Sequence, residues 1–224
     1  MGQVIGSILP LALGVAISPL PIIATILMLL SPRAGATGRA FLLGWLVGIA
    51  VAVAVFILVG ALLPTEQSGA ARITSGIIKV VLGVLLLALA VRQWRRRPRP
   101  GEETPMPGWM SGIDTITPAK ALGLAFLLAA VNPKNLTLAA TAGIAISAGR
   151  QVGTQVLAGV VFLVIAGSTV AGPVLVNALW SQRMRPVLDA LRSWLVTNNS
   201  GIMTVVLLIL GATAVGNGLG ALWL

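Results

Sequence analysis

The stretch Asn132-Pro133-Lys134-Asn135 decides the fold class, because it places polar and helix-breaking residues in the middle of a long apolar segment. A lysine at the centre of a membrane span costs about 2.5–3.5 kcal/mol on insertion scales. Proline has no backbone N–H, so a carbonyl of the preceding turn loses its partner. Hydrocarbon offers no replacement, and such groups must face protein or a water-filled cavity. The stretch predicts a polar site embedded in a membrane protein and favours transport.

The composition indicates several membrane spans. Of the 224 residues, 57% are hydrophobic and 9% are charged, whereas about a quarter of a soluble domain is charged. The mean hydropathy is +1.01. The absence of cysteine and histidine excludes thiol redox chemistry and argues against a transition-metal site. The first thirty residues are apolar and lack Lys and Arg, so we expect a first span there rather than a secretory signal.

We predict an all-α polytopic membrane protein with six transmembrane helices, each long enough to cross about 30 Å of hydrocarbon. The predicted spans are 3–30, 38–63, 70–91, 119–145, 153–179 and 201–223. Residues 92–118 form a basic, proline-rich loop that has no capacity to build a core. Residues 181–199 mix apolar and basic positions, which predicts a short amphipathic helix at the membrane interface, anchored by Trp194.

The distribution of basic residues predicts the orientation of the chain. Eleven of the fifteen Lys and Arg residues lie on the side of the 92–118 loop, and only Arg72 and Arg150 lie in loops of the other side. By the positive-inside rule, the 92–118 loop is cytoplasmic and both termini are extracytoplasmic. The net charge of +10 is therefore a topology signal rather than a sign of nucleic-acid binding.

The chain is predicted to contain two inverted three-helix repeats, 1–91 and 119–224. Ser18-Pro19-Leu20-Pro21 breaks the first span near its middle, as Asn132-Pro133-Lys134 breaks the fourth, 114 residues later. Because each half has three spans, the second half enters the membrane in the opposite sense. Inverted halves with broken helices at the midplane are a recurring transporter architecture. Chance matching of low-complexity apolar sequence is the alternative explanation.

The candidate substrate-binding residues are polar or helix-breaking residues inside the predicted spans: Ser18, Pro19, Pro21, Lys79, Asn132, Pro133, Lys134 and Asn135. Lys134 either binds an anionic head group or is a structural lysine bonded to freed carbonyls. Asn132 and Asn135 either bond the same ligand or join spans. Lys79 is a second midplane cation or reaches outward to the interface. The break around Pro19 lines a cavity or is a plain kink.

The acidic residues are informative by their positions, because all five fall in predicted loops or near span ends. Cation carriers and proton-coupled carriers usually place a carboxylate within a span, and a divalent metal requires oxygen anions. The predicted site suits an anionic or zwitterionic substrate and implies no metal and no cofactor. No nucleophile–base pair is visible, so we expect no enzyme. Gly44, Gly48 and the glycines at 211, 216, 218 and 220 predict close helix packing.

Several motifs resemble those of the actinobacterial GAP-like family, which comprises peptidoglycolipid-addressing and sulfolipid-addressing proteins within the lysine-exporter (LysE) superfamily. The motifs are Ala130-Val131-Asn132-Pro133-Lys134-Asn135-Leu136, Ser18-Pro19-Leu20-Pro21, Lys79-Val80-Val81-Leu82-Gly83 and Arg92-Gln93-Trp94-Arg95. The resemblance covers nearly the whole chain and implies six spans in two inverted halves. It also implies a role in moving cell-envelope glycolipids or related lipid-linked anions across the bacterial plasma membrane. The cation-exporting and thiol-redox branches of the superfamily rely on groups that this chain lacks.

The sequence therefore predicts a transporter or flippase for an amphiphile with an anionic head, whose tails stay in the bilayer. The expected partners are that lipid, the membrane, and a second copy or envelope lipid-export proteins. Two alternatives remain: an exporter of amino acids or other small solutes, and a non-transporting accessory factor of a lipid-export machine. A closed, narrow cavity favours the solute exporter, whereas a cavity that opens sideways to lipid favours the lipid transporter.

Overall fold

The computed structural model describes residues 2–62, 69–95, 97, 115–149 and 151–223. Its regular elements in these ranges are long helices, in agreement with the predicted all-α class. They are α1 (Gly2–Ala16), α2 (Pro19–Leu30), α3 (Ala34–Ala61), α4 (Gly69–Arg95), α5 (Pro118–Ala130), α6 (Pro133–Ser147) and α7 (Val152–Trp223).

Both predicted broken spans are present in the structure. α1 meets α2 at 50°, and α5 meets α6 at 62°. Four further segments are long and apolar enough to cross a membrane alone: Ala34–Ala61, Ile73–Arg95, Val152–Leu179 and Arg185–Trp223. The described residues thus contain six candidate spans if each bent pair counts as one. The inverted relation between the two halves stays a prediction.

Prolines start the second helix of each bent pair. Pro19 and Pro133 lie in the first turn of α2 and α6. The backbone N–H groups of a first turn have no partner within the helix, so a proline there removes no helical hydrogen bond. Asn132 caps α6, since its side-chain oxygen accepts the backbone N–H of Lys134 at 3.0 Å. The prolines therefore begin new helices with their own free ends, which a kink within one helix does not provide.

α4 is longer than the predicted third span. It continues to Arg95, so residues 92–95 are helical although they were predicted to open the basic loop. Residues 96 and 98–114, which make up most of that loop, lie outside the described residues. The extension carries Arg92 and Gln93 onto the helix face beside α7, where Gln93 Nε2 donates to Ser200 Oγ at 3.4 Å.

α7 is helical from Val152 to Trp223, and it must fold back on itself. Thr169 donates its hydroxyl to the carbonyl of Ala16 at 2.7 Å, while Leu210 packs against Gly14. A straight helix would separate positions 169 and 210 by about 60 Å, yet both touch the last turn of α1. α7 therefore supplies two antiparallel spans, and residues 181–199 overlap the start of the second candidate span, Arg185–Trp223. The predicted interfacial position of that segment stays a prediction.

Two seams of glycine hold the helices close together. In the first, Gly44 and Gly48 of α3 lie against the backbone of α5, and Gly60 of α3 lies against α6. In the second, Gly83 of α4 lies against Gly211 of α7, and one step further along the same pair Gly76 lies against Gly218. A Cβ at any of these positions would meet neighbouring atoms, several of them backbone. Close packing by Gly44, Gly48, Gly211 and Gly218 is thus as predicted, whereas Gly216 and Gly220 face open space.

Candidate functional site

The two helix breaks meet at Lys134. This lysine lies in the first turn of α6, and its side chain is only 4% exposed. Its ammonium donates to the carbonyl oxygen of Gly14 at 2.7 Å and to the hydroxyl of Ser18 at 2.5 Å. Gly14 belongs to the last turn of α1, and Ser18 is the residue that precedes Pro19. The side chain from one break therefore completes the hydrogen bonding of the other.

The end of α1 explains why a cation is favourable there. The last carbonyls of a helix have no intrahelical donor and carry a partial negative charge. In α1 the break at Ser18 leaves the carbonyl of Gly14 without the N–H that a continuing helix would supply. Lys134 supplies the missing donor, and a cation at a helix C-terminus contributes up to about 2 kcal/mol in partly buried geometry. Lys134 does bond to a carbonyl that a helix break frees. That carbonyl belongs to α1 and not to the broken span that contains Lys134.

Asn135 performs the matching task for the second break. Its side-chain amide donates to the carbonyl of Leu128 at 3.0 Å, and its side-chain oxygen accepts a longer bond from the Ser18 hydroxyl at 3.4 Å. Leu128 precedes Asn132 by four residues, as Gly14 precedes Ser18. Both orphan carbonyls are thus satisfied by adjacent residues of α6. Asn135 is 2% exposed and lies behind Lys134 in the protein interior.

A cavity of about 220 Å³ opens beside this junction. Its lining combines both breaks with the ends of α4 and α7: Ser18, Pro19, Leu20, Pro21, Leu89, Arg92, Gln93, Asn132, Pro133, Lys134, Asn199, Met203 and Leu207. Two lining residues are cationic, and none of these described lining residues carries a carboxylate. The side-chain oxygen of Asn199 is buried and has no hydrogen-bond partner. An unpaired buried acceptor is costly, so a hydrogen-bond donor beside Asn199 would be stabilising.

The structure brings most of the predicted site residues together. One cavity is lined by six of them: Ser18, Pro19, Pro21, Asn132, Pro133 and Lys134. Asn135 does not line the cavity but accepts a hydrogen bond from Ser18, which does. Lys79 lies elsewhere, in a separate cavity between α1, α4, α6 and α7. It therefore belongs to a different place in the protein from the junction of the breaks.

Sequence reasoning missed three polar residues of the Lys134 cavity. The sequence predicts a loop at Arg92 and Gln93 and the end of an interfacial segment at Asn199, whereas all three residues line the cavity. A signal for Asn199 was available, because Asn198-Asn199-Ser200 is a polar triplet that directly precedes an apolar span. Among the described residues there is no group of three or more side chains suited to hold a metal ion.

Comparisons with known proteins add one positive finding. A family model described as "Sap, sulfolipid-1-addressing protein" matches residues 8–220, which is nearly the whole chain. No curated protein and no solved structure matches the chain. The match includes both helix breaks and all residues of the Lys134 cavity.

Proposed function

The chain belongs to the sulfolipid-1-addressing protein family, and from this membership we propose that it moves an anionic envelope glycolipid across the plasma membrane as a transporter or flippase. The family name concerns a sulfated lipid, whose head carries negative charge. The multi-pass helical architecture and the resemblance noted for the motifs support the same assignment.

The observation that carries the proposal is the charge of the Lys134 cavity. Lys134 and Arg92 both line it, and its neutral polar groups come from Gln93, Asn132 and Asn199. The hydrogen-bond partners of the Lys134 ammonium are a carbonyl and a hydroxyl, which are neutral. Buried charges are normally paired, so a cation with neutral partners in an apolar bundle favours an anionic ligand. A sulfate or phosphate group supplies that missing charge and accepts several hydrogen bonds.

The size of the cavity favours a head group over a whole lipid. Pockets that enclose drug-sized molecules usually measure about 300–1,000 Å³. At about 220 Å³, the cavity accommodates a charged group with part of a sugar and leaves no room for acyl chains. We therefore place the head group beside Lys134 and Arg92 while the tails remain in the bilayer.

The test is lipid movement by the purified protein in liposomes. A fluorescent sulfated glycolipid should cross the bilayer, and an otherwise identical unsulfated glycolipid should cross more slowly. Lys134→Met should abolish movement of the sulfated lipid while the protein still inserts and stays monodisperse. Lys134→Arg should retain part of the activity, because the charge survives but its geometry changes. Lys120→Met is the matched control, since Lys120 is exposed at the start of α5.

The same assay separates the alternatives. Normal movement by Lys134→Met would contradict the assigned role of this cation. Wild-type protein that binds the sulfated lipid but moves none of it alone would favour an accessory factor. Export of amino acids without any lipid movement would favour the small-solute exporter.

A further inference from the structure

A second and larger cavity, of about 590 Å³, contains the other intramembrane lysine. Its polar lining includes Gln3 and Ser7 of α1, Lys79 of α4, Thr141 of α6 and Asn217 of α7. Lys79 is partly buried, and neither a hydrogen bond nor an ion pair occupies its ammonium in the part of the chain that the structure describes. Among the described lining residues it is the one ionisable side chain. Within the described residues, a cation without a partner therefore faces a cavity that has several neutral polar groups in a mostly apolar lining.

The two cavities follow one another along the same helices. On α4, Leu82 lines the Lys79 cavity and Leu89 lines the Lys134 cavity. On α6, Thr141 lines the former and Lys134 lines the latter. Each pair is seven residues apart, which is about 10 Å along a helix. The cavities therefore lie on opposite sides of a layer that is about two helical turns thick.

Leucine side chains form this layer. Leu86 of α4 and Leu138 of α6 lie midway between the lining positions of their helices, and both are fully buried. Leu138 and Leu210 close around Gly14, and a Cβ on Gly14 would meet the side chains of both. The carbonyl of the same Gly14 binds Lys134 on the other side. One apolar layer, formed by Gly14, Leu86, Leu138 and Leu210, thus separates the two cations.

We infer that the Lys79 cavity is a second anion-binding chamber, and that the leucine layer is the barrier which an anionic head group crosses between the two chambers. The inference rests on the proposed function, since it assigns both chambers to one substrate class. A binding site of like charge on each side of an apolar barrier provides a stopping place before and after the crossing. The greater volume around Lys79 admits a sulfated or phosphorylated sugar head with its water.

Single cysteines test the arrangement, because the chain has no cysteine of its own. Leu82→Cys and Leu89→Cys place one thiol in each chamber on the same face of α4. Sulfonatoethyl and trimethylammonioethyl methanethiosulfonates, which are impermeant and of opposite charge, are applied to right-side-out and inside-out vesicles. The thiol at 82 should react from one face of the membrane and the thiol at 89 from the other. Leu86→Cys, in the barrier, should react slowly from both faces.

The charge of the reagent tests Lys79 itself. The measured quantity is the ratio of the anionic reagent's reaction rate to the cationic reagent's rate. At position 82 the nearby cation should raise this ratio, and Lys79→Gln should lower it by at least about threefold. Lys79→Arg should preserve the ratio, and Lys79→Gln should leave the ratio at position 89 unchanged. Thiols at 82 and 89 that react from the same face would overturn the two-chamber arrangement. A ratio at 82 that ignores Lys79→Gln would overturn its assignment as an anion site.

The barrier has its own variant. Leu138→Ala should let reagent applied on the Leu89 side reach the thiol at 82, because Leu138 lies midway between the chambers on α6 and is fully buried. Unchanged labelling would mean that Leu138 does not separate the chambers. These results are independent of lipid movement: two-sided labelling with no transport in liposomes would contradict the proposed function and leave the two chambers standing.

Discussion

The ammonium of Lys134 lies 2.7 Å from the carbonyl oxygen of Gly14, a residue 120 positions earlier in the chain. This bond links the first turn of α6 to the last turn of α1, so the second broken span closes the first. Gly14 therefore contacts both the site and the apolar layer. Its carbonyl accepts from Lys134, and its Cα lies against the side chains of Leu138 and Leu210. The Lys134 ammonium and the apolar layer are therefore linked through one residue, Gly14.

We expect Lys134 and Ser18 to be energetically coupled. Ser18→Ala removes a hydroxyl that accepts from Lys134 at 2.5 Å and donates to Asn135 at 3.4 Å. A double-mutant cycle with Lys134→Met should give a coupling energy of about 0.5–3 kcal/mol in the free energy of unfolding. The measurement is unfolding in mixed detergent micelles for the four proteins of the cycle. Strict additivity would show that the short contact contributes nothing.

Asn135→Leu should destabilise the protein by about 1–3 kcal/mol, since it removes the side-chain donor to the Leu128 carbonyl and one acceptor of the Ser18 hydroxyl. Thermal unfolding of the purified protein measures the effect. Asn198→Leu is the matched control, because Asn198 is exposed and bonds only the Trp194 carbonyl of its own helix. Its effect should stay within about 0.5 kcal/mol. Equal losses for the two variants would contradict the bracing role of Asn135.

Gly44→Ala should lower stability by about 1–3 kcal/mol, because the added Cβ would collide with the backbone of Leu122 and push α3 away from α5. Gly159→Ala adds the same methyl group to α7, where nothing lies within 4 Å. Alanine is the better helix former, so this control should be neutral or slightly stabilising. The comparison uses the melting temperature in one detergent. Indistinguishable melting temperatures would show that α3 and α5 are not in close contact.

Orientation is tested at the two ends of the fourth span. Lys120→Cys at its start is predicted to be cytoplasmic, and Val152→Cys, just beyond its end and 74% exposed, is predicted to be outside. An impermeant maleimide added to intact cells should label the thiol at 152 and spare the thiol at 120 until the cells are opened. Labelling in the reverse pattern would invert the topology and exchange the faces on which the two chambers open.

The sequence predicted the broken spans well, because proline acts through the backbone whatever surrounds it. Pro19 and Pro133 each lack an N–H, and each starts a new helix. The membership predicted from the motifs is likewise confirmed for the sulfolipid-addressing family. The partner of Lys134 was not predictable in the same way. A carbonyl such as that of Gly14 has no sequence signature, and only the crossing of α1 and α6 brings it within reach.

The end of α4 and the surroundings of Lys79 depend on tertiary structure. The predicted third span ends at residue 91, just before the run of arginines that starts at Arg92, whereas α4 continues as a helix to Arg95. That difference hid two polar residues of the Lys134 cavity. The placement of Lys79 was equally inaccessible, because α4 is apolar on all sides and its sequence does not show which face meets other helices.

The glycine seams divide the bundle into two closely packed groups of helices. α3, α5 and α6 are joined along the first seam, and α4 is joined to the last part of α7 along the second. Both chambers are lined by α6 of the first group and by α4 and the last part of α7 of the second group. Relative rotation of the groups would part Leu138 from Leu210, which both pack against Gly14, while the contacts within each seam stay intact. Pro186 lies in α7 between the two stretches that contact α1, and proline is a usual site for a helix to bend.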